Sequence, residues 1–205
     1  MKAALGKFLT LALGAAALAI GASVALAQTT DVYKVNYFDN NTVTAAPAAW
    51  IRIDNPGLTY GNLCAMIYVF DQDQQLTECC GCVQTHDGLQ RLSVRTNLTS
   101  NPLTGVVSNA GVIKIVSAAV NNSPCDPTSN VTPKSNLRAW ATHIQFPEIV
   151  TVPGNPSVTY YPVTETGFED SPLGATELTN LQSQCAFINI LGSGHGVCSC
   201  GSGPS

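Results

Sequence analysis

The sequence contains few charged residues. Asp, Glu, Lys and Arg make up 11% of its 205 residues, against about 25% in an ordinary soluble domain. The surface must therefore be covered mainly by uncharged polar side chains such as Asn, Gln, Thr and Ser. Such a surface has little long-range repulsion, so close packing against another copy or a matrix costs less free energy. This composition suits a wall, matrix or filament component.

Basic residues are scarcer than acidic ones. The chain has 9 Lys and Arg against 13 Asp and Glu, and Lys2 and Lys7 lie in the N-terminal segment described below. The remaining chain, with 7 basic and 13 acidic residues, has a net charge of −6. Nucleic acid needs a basic surface, so we expect no nucleic-acid partner. The same charge balance disfavours docking on anionic lipid.

No established catalytic motif is present. The Gly-x-Ser-x-Gly elbow does not occur, and residues 192–196 resemble it only in composition. The histidines His86, His143 and His195 are far apart, but the members of a Ser–His–Asp constellation need not be close in sequence. We therefore favour a protein without catalytic activity or cofactor, and keep a secreted hydrolase as an alternative.

The N-terminus has the order of a secretory signal peptide. Lys2 and Lys7 precede an uncharged apolar run, residues 8–20, which is followed by the small residues Ala25 and Ala27. This order predicts removal of residues 1–27, and the short Ala-rich signal is typical of bacteria. An uncleaved anchor is the alternative, because about 20 apolar residues nearly span a bilayer. We expect a secreted, periplasmic or cell-surface protein without membrane contact after cleavage.

All eight cysteines follow this segment. An even number of cysteines behind a signal peptide predicts disulfides, although eight cysteines allow 105 pairings. Neighbouring cysteines bond poorly to each other across a trans peptide, so Cys79 and Cys80 are expected to reach two different partners. The disulfide candidates are Cys64, Cys79, Cys80, Cys82, Cys125, Cys185, Cys198 and Cys200.

Two cysteine clusters leave a metal site as an alternative. Thiolates and an imidazole suit zinc or copper(I), but the spacing here matches none of the usual zinc patterns. We therefore favour four disulfides that tie the Gly-rich C-terminal tail back onto the body. The residues of the alternative metal site are Cys79, Cys80, Cys82, His195, Cys198 and Cys200.

Short apolar or alternating segments separated by turn residues predict a mainly β protein. Their number favours an antiparallel β-sandwich, Ig-like or jelly-roll-like, and the absence of long helices between them disfavours a parallel α/β sheet. The predicted strands cover residues 32–38, 50–54, 64–70, 75–79, 89–98, 112–120, 137–146, 149–152 and 158–163.

One helix is predicted near the C-terminus. Gly174 is the expected N-cap, Leu173 and Leu178 have the spacing of a hydrophobic staple, and Gly192 ends the helix. Apolar residues at spacings of three and four form one stripe, namely Leu178, Leu181, Cys185 and Ile188. We divide the mature chain into a sandwich domain, residues 28–170, and a helix with a Cys-rich tail, residues 171–205, packed on the same domain.

Two acidic groups have weak functional interpretations. Asp71 and Asp73 place carboxylates at alternate positions, as a calcium loop does, but an Asp-rich hairpin turn explains them better. Glu165, Glu169 and Asp170 could supply the paired carboxylates of a glycosidase. A solvated loop before the helix is the favoured interpretation of that group.

Three functions fit this sequence. The favoured one is an exported, non-catalytic structural or adhesion-type protein that associates with itself or contacts a cell surface or matrix, with residues 28–44 as an exchanged strand. The second is a secreted module that binds glycan or metal, and the third is a secreted hydrolase. The aromatic residues that could stack on a sugar are Trp50, Trp140, Tyr160 and Tyr161.

Overall fold

The computed structural model describes residues 31–40, 46–58, 61–120, 125–129, 131–151, 153–154 and 156–201. The predicted signal peptide, residues 1–27, lies outside these ranges, as does part of the segment expected to exchange between subunits. Residues 33–39 of that segment form a strand within the sheet of their own chain.

The described chain is mainly β, with antiparallel sheets, a short π-helix (Val94–Leu98) and a C-terminal α-helix, α1 (Ala175–Ile190). The strands are β1 (Tyr33–Asp39), β2 (Trp50–Asp54), β3 (Leu63–Asp71), β4 (Leu76–Gln84), β5 (Leu89–Ser93), β6 (Ala110–Ala119), β7 (Arg138–Ile144), β8 (Glu148–Val150), β9 (Val158–Tyr160), β10 (Val163–Gly167) and β11 (Glu169–Asp170). No helix among these residues is long and apolar enough to cross a membrane.

The strands form two larger sheets and one ribbon. A five-stranded sheet has the order β11-β1-β6-β3-β4, and a four-stranded sheet has the order β10-β7-β2-β5. The ribbon consists of β8 and β9, which continue the β7–β10 pair beyond the body through the bond from the Gln145 amide to the Pro162 carbonyl. All named strand pairs are antiparallel, as predicted.

The five-stranded sheet is buried on both faces, and β3 at its interior shows why the sequence there is continuously apolar. Leu63, Ala65, Ile67 and Val69 belong to the first core, which also contains Ile51, Ile53 and Leu92 of the four-stranded sheet. The alternate residues of β3 belong to the second core, together with Leu181, Cys185 and Ile188 of α1. Side chains alternate across a strand, so β3 supplies both cores at once. The residues that face α1 are Cys64, Met66, Tyr68 and Phe70.

The chain passes directly from an edge strand of the four-stranded sheet to an edge strand of the five-stranded sheet. β10 pairs with β7 in the four-stranded sheet, and β11 pairs with β1 in the five-stranded sheet. Only Phe168 separates the two strands, and its side chain is buried in the first core while its amide bonds to the Ala139 carbonyl. The chain thus connects the two sheets on this side of the molecule through an edge strand of each.

The helix prediction is confirmed. Gly174 is the N-cap, the predicted stripe is buried at Leu181, Cys185 and Ile188, and Gly192 follows the last turn with a φ of 63°. Polar contacts from Glu177 in the first turn hold the helix on the sheet. Its Oε1 accepts hydrogen bonds from the Tyr33 hydroxyl (2.7 Å) and the Lys114 ammonium (2.8 Å). Burial opposes ionisation of this carboxyl, but these two donors hold its pKa below the usual value.

The predicted strand over residues 89–98 is correct only to Ser93. Residues 94–98 form the π-helix because local side chains satisfy its backbone: the Ser93 hydroxyl accepts from the Thr96 amide, and the Asn97 side-chain oxygen accepts from the Ser93 amide. Such bonds offer the chain an alternative to a sheet ladder. Leu92, Val94 and Leu98 are nevertheless buried, as the strand pattern predicted.

All eight cysteines form disulfides, and three of the four bonds attach to β4. The pairs are Cys64–Cys125, Cys79–Cys185, Cys80–Cys198 and Cys82–Cys200. Cys79 holds α1 on one face of β4, while Cys80 and Cys82 hold the C-terminal tail (residues 192–201). Neighbouring Cys79 and Cys80 thus reach different partners, as predicted. The four bonds indicate an oxidising environment.

The C-terminal tail covers the outer edge of β4. The Cys79 amide donates to the Gly196 carbonyl (2.9 Å), and the Cys198 amide donates to the Cys79 carbonyl (3.3 Å), in a parallel pairing. Further along, the Gln90 side chain donates to the Cys200 carbonyl (2.6 Å), which links the tail to β5 of the four-stranded sheet. The tail therefore bridges β4 and β5, which are the edge strands of the two sheets on the other side of the molecule.

Two glycines permit these close contacts. A Cβ on Gly81 would lie 2.0 Å from the Cys125 carbonyl oxygen, so no larger residue fits between Cys80 and Cys82 without a shift of the backbone. A Cβ on Gly196 would lie 2.0 Å from a methyl carbon of Ile188, and φ there is 82°. Gly196 thus brings the tail against α1 in a conformation that other residues rarely adopt.

Removing both tail disulfides should free the edge of β4. We expect the free energy of unfolding to fall by about 2–4 kcal/mol for each bond, because the unfolded chain loses a long-loop constraint. We also expect hydrogen exchange at the Cys79 amide to accelerate, because that amide donates to the Gly196 carbonyl of the tail. The test protein carries serine in place of Cys80, Cys82, Cys198 and Cys200, and is measured by urea denaturation and exchange mass spectrometry.

A matched control replaces Cys64 and Cys125 with serine. This variant should lose stability by a similar amount for its one bond while the β4 edge keeps its slow exchange. Equal exchange at the β4 edge in the tail variant and the parent would contradict the proposed covering role of the tail.

Candidate functional site

The outer side of the four-stranded sheet carries an unusual combination of residues. Along β2 the side chains of Ile51 and Ile53 are buried in the core, which turns Trp50, Arg52 and Asp54 to the other side. The same alternation acts on β5, β7 and β10, because side chains of paired residues share a face. The Trp–Arg face comprises Trp50, Arg52, Asp54, Arg91, Arg138, Trp140, Glu165 and Gly167.

The strand register places one continuous row across this face. Gly167 of β10 is paired with Trp140 of β7, Trp140 with Arg52 of β2, and Arg52 with Arg91 of β5. With strands about 4.8 Å apart, the distance from Trp140 to Arg91 is roughly 10 Å. Trp50 lies two residues from Arg52 along β2, so it is a diagonal neighbour of both Trp140 and Arg91. Two tryptophan rings and two guanidinium groups therefore lie beside one another on one surface.

Two contacts fix the arginines. The guanidinium carbon of Arg91 lies 3.8 Å from the ring centroid of Trp50, in a cation–π stack. Arg52 forms an ion pair with Glu165 across β7. Arg91 itself is exposed, while Trp50 and Arg52 are half-buried. The stack occupies one ring face of Trp50 and orients Arg91 with little loss of its hydrogen-bonding capacity, because the N–H groups of a guanidinium lie in its plane.

Trp140, in contrast to Trp50, has a glycine beside its ring. Gly167 lies directly across from it on β10, and a Cβ built on Gly167 would have only the Trp140 ring, at 4.0 Å, within contact distance. The lack of a side chain at Gly167 leaves that flank of the half-buried ring uncovered. Of the two tryptophans, Trp140 is therefore better placed to stack on a ligand.

A groove adjoins the face at its β5 edge. It has a volume of about 530 Å³, and Trp50 and Arg91 form part of its wall. Amide side chains of Gln84, Gln90 and Asn97 form another part, close to the end of the tail at Gly201. Gln84 bonds to Gln90, and Gln90 bonds to the tail, so these amides are held in place. An aromatic ring beside fixed amide and guanidinium groups can hold a polar ligand.

The other two aromatic candidates lie elsewhere. Tyr160 is exposed on β9 of the ribbon, and Tyr161 is packed against the first core. The structure thus brings together Trp50 and Trp140 of the four residues considered for sugar stacking, and separates the two tyrosines from them.

The residues of the alternative metal site are only partly gathered. The sulfurs of Cys80, Cys82 and Cys200 lie within 4.8 Å of one another, because two disulfides sit side by side. Sulfur in a disulfide is not the thiolate that zinc or copper(I) binds. His195 hydrogen-bonds through Nδ1 to the Asn101 side chain (2.8 Å) in the tail region, and Cys79 faces the other side of β4 toward α1.

His143 is the histidine closest to a catalytic arrangement. It is 1% exposed, stacks on Tyr37 with ring centroids 4.0 Å apart, and its Nε2 lies 2.8 Å from the Thr166 hydroxyl. Burial lowers the pKa of the imidazole, so the neutral ring could accept a proton from Thr166. A triad also needs an acceptor that orients the base. Nδ1 of His143 has no hydrogen-bond partner among the described residues, so this pair lacks that third group.

The two acidic groups have structural roles. The Asp71 carboxylate accepts hydrogen bonds from the Asp73 and Gln75 amides, which is the Asp-rich hairpin turn that the sequence favoured. The expected solvated loop over residues 165–170 is wrong. These residues form β10 and β11, where Glu165 pairs with Arg52 and Asp170 pairs with Lys34.

One buried carboxyl was not anticipated. Glu78 on β4 is 0% exposed; its Oε1 accepts from the Asn101 amide (2.8 Å), and its Oε2 has no partner within the described part of the chain. Burial raises its pKa to about 7, although the Asn101 amide acts in the opposite direction. Asn101 also bonds through its side chain to the carbonyls of Gly194 and Val197. Glu78 therefore lies beneath the attachment of the tail.

Comparison of the chain with protein family models, with curated proteins and with solved structures found no match.

The arginines of the Trp–Arg face were missed by sequence analysis. The alternation in residues 50–54 and 89–93 assigns Arg52 and Arg91 to the polar side of their strands, and this was the available signal. The sequence does not reveal which strands are neighbours, so it could not show that these arginines lie beside both tryptophans.

Replacing Glu78 with glutamine should change how stability depends on pH. The folded-state pKa is raised from 4.5 to about 7, so the stabilising contribution of the protonated carboxyl is complete below pH 4.5 and lost as pH rises through 7. Relative to the parent, Glu78→Gln should gain on the order of 3 kcal/mol in unfolding free energy between pH 4.5 and pH 8.

The measurement is urea denaturation at several pH values, with Glu148→Gln, on the exposed ribbon, as the control. Taking the difference between variant and parent removes the contributions of His143 and Glu177. Parallel pH curves for Glu78→Gln and the parent would show that folding does not raise the pKa of Glu78.

Proposed function

We propose that this chain is an exported, non-catalytic adhesion-type module that binds glycan through its Trp–Arg face. In this proposal the two larger sheets form a β-sandwich around the first core, and α1 covers the second. The observation that carries the proposal is the placement of both tryptophans of the chain, with three arginines, on one side of the four-stranded sheet, facing away from the core.

The chemistry of the face supports a sugar ligand. The apolar C–H side of a sugar ring packs on an aromatic face, and its hydroxyls need fixed donors and acceptors beside that ring. Trp140 offers the aromatic surface next to Gly167, and Arg52 and Arg91 offer guanidinium donors in the same row. Both tryptophans are only half-buried on this side of the sheet, and a bound ligand would use the ring area that remains exposed.

The disulfides and the N-terminal sequence support a binding role outside the cytoplasm. Four disulfides fix the body, and a face held by rigid strands loses little conformational entropy when it binds. The disulfides also agree with an oxidising compartment, and the N-terminal sequence supplies an export signal.

Trp140→Ala should weaken glycan binding. We expect a loss of about five- to thirtyfold in affinity, because stacking contacts of this kind contribute about 1–2 kcal/mol. Binding is measured first on an array of neutral and acidic glycans, then by titration calorimetry with a glycan that binds. Tyr160→Ala on the ribbon is the matched control and should bind like the parent. An array on which the folded parent binds no glycan refutes the proposed function.

Self-association is a second candidate, and the β8–β9 ribbon favours it. This ribbon projects beyond the body, its strands pair only with each other among the described residues, and it exposes large apolar side chains. Phe146 at its base is 90% exposed and Ile149 is 73% exposed. Exposed apolar groups beside unpaired strand edges favour pairing with a second copy, and the low charge of the chain opposes it little.

The double variant Phe146→Ser, Ile149→Ser should lower any self-association of the parent. We expect the apparent dimer dissociation constant from sedimentation velocity to rise by more than about tenfold, since two apolar side chains return to water. Val106→Ser, at another exposed apolar residue, is the control. A parent protein that stays monomeric over the whole concentration range would contradict this candidate.

A further inference from the structure

We infer that the glycan bound by the Trp–Arg face is an acidic polysaccharide, recognised by carboxylate groups on its sugars. This inference rests on the proposed function and specifies its ligand class. It is carried by the charges of the face, by the pairing of two arginines within it, and by the stack that orients one of them.

The charge of the face opposes that of the chain. After the signal segment the chain has 7 basic and 13 acidic residues, and three of the seven lie on this face as Arg52, Arg91 and Arg138. Asp54 and Glu165 are the acidic residues of the face, so its formal charge is positive within a chain of net charge −6. Placing nearly half of the scarce cations together creates a local attraction for anions.

Arg52 and Arg91 are paired directly across β2 and β5. Like charges in directly opposed positions destabilise a sheet. The ion pair with Glu165 and the stack on Trp50 reduce this cost without removing either positive charge. A carboxylate that binds between the two guanidinium groups would convert the repulsion into two attractions, which gives the pair a role in ligand binding.

The geometry of Arg91 suits a carboxylate. Stacking on Trp50 uses the flat face of the guanidinium and leaves its in-plane N–H groups available. These groups form the fork that matches the two oxygens of a carboxylate. Trp140 lies two strands away in the same row, roughly 10 Å from Arg91. A polysaccharide could therefore stack one sugar on Trp140 and present the carboxylate of a nearby sugar to Arg52 and Arg91.

The decisive experiment compares acidic polysaccharides with their own carboxyl-reduced forms. Oligomers of polygalacturonate, alginate and hyaluronan are titrated into the mature, disulfide-intact protein by calorimetry, at low and at physiological salt. We expect at least one acidic oligomer to bind about tenfold or more tightly than its reduced form, because charge-assisted hydrogen bonds are lost on reduction. Its affinity should also fall as salt rises.

Two substitutions on the face should act in opposite directions. Arg91→Gln should weaken binding of that acidic oligomer about tenfold, with little effect on its reduced form. Glu165→Gln should strengthen it by a few-fold, because it removes a competing carboxylate from Arg52. Lys134→Gln, which changes the same charge away from the face, is the control and should leave affinity unchanged. Unfolding curves confirm that each variant is folded.

The outcomes separate the inference from the proposed function. Equal binding of acidic and reduced oligomers, or binding only of neutral glycans on the array, overturns the acidic ligand and leaves glycan binding intact. Binding of poly-glutamate as tightly as the best acidic oligomer also overturns it, in favour of an acidic protein partner. No binding to any glycan refutes both.

Discussion

The covalent attachment of β4 is the constraint on which the rest of the structure depends. β4 is an edge strand of the five-stranded sheet, and three of the four disulfides begin on it. Because successive side chains point to opposite faces, Cys79 reaches α1 while Cys80 and Cys82 reach the C-terminal tail. One strand thus fixes the helix layer, the tail and the link to the four-stranded sheet. Gly81 allows Cys125, itself held by the fourth disulfide, to approach the same strand.

The C-terminal tail protects an edge strand in a chain that has few charged residues. An exposed edge strand offers unpaired amides to other chains, and many proteins protect such edges with charged residues. Here the C-terminal tail covers β4, and the passage of the chain through Phe168 joins the opposite edges. The edge at β4 is therefore protected by the tail, although the chain has few charges. The ribbon of β8 and β9 is outside this protection, because its strands pair only with each other among the described residues.

Sequence patterns predicted the local features of this fold and missed the pairings. Alternation, turn residues and caps identified most strands and α1, because these signals are local. The ending of the strand at Ser93 depended on side-chain bonds to a neighbouring backbone, and β10 and β11 depended on partners far away in the chain. The cysteine count predicted disulfides, but the partners follow from strand order. The same limit hid the arginines beside Trp50 and Trp140.

The Trp–Arg face is hard to explain as a product of folding alone. Stability would be served by placing no like charges directly opposite each other and by placing the tryptophans in a core. Instead Arg52 opposes Arg91, and Trp140 lies beside a glycine that leaves it uncovered. Each of these arrangements costs the folded protein some stability, and the four disulfides elsewhere in the body contribute in the opposite direction. The ligand-binding role proposed above would account for a surface that departs from the stable arrangement at several neighbouring positions.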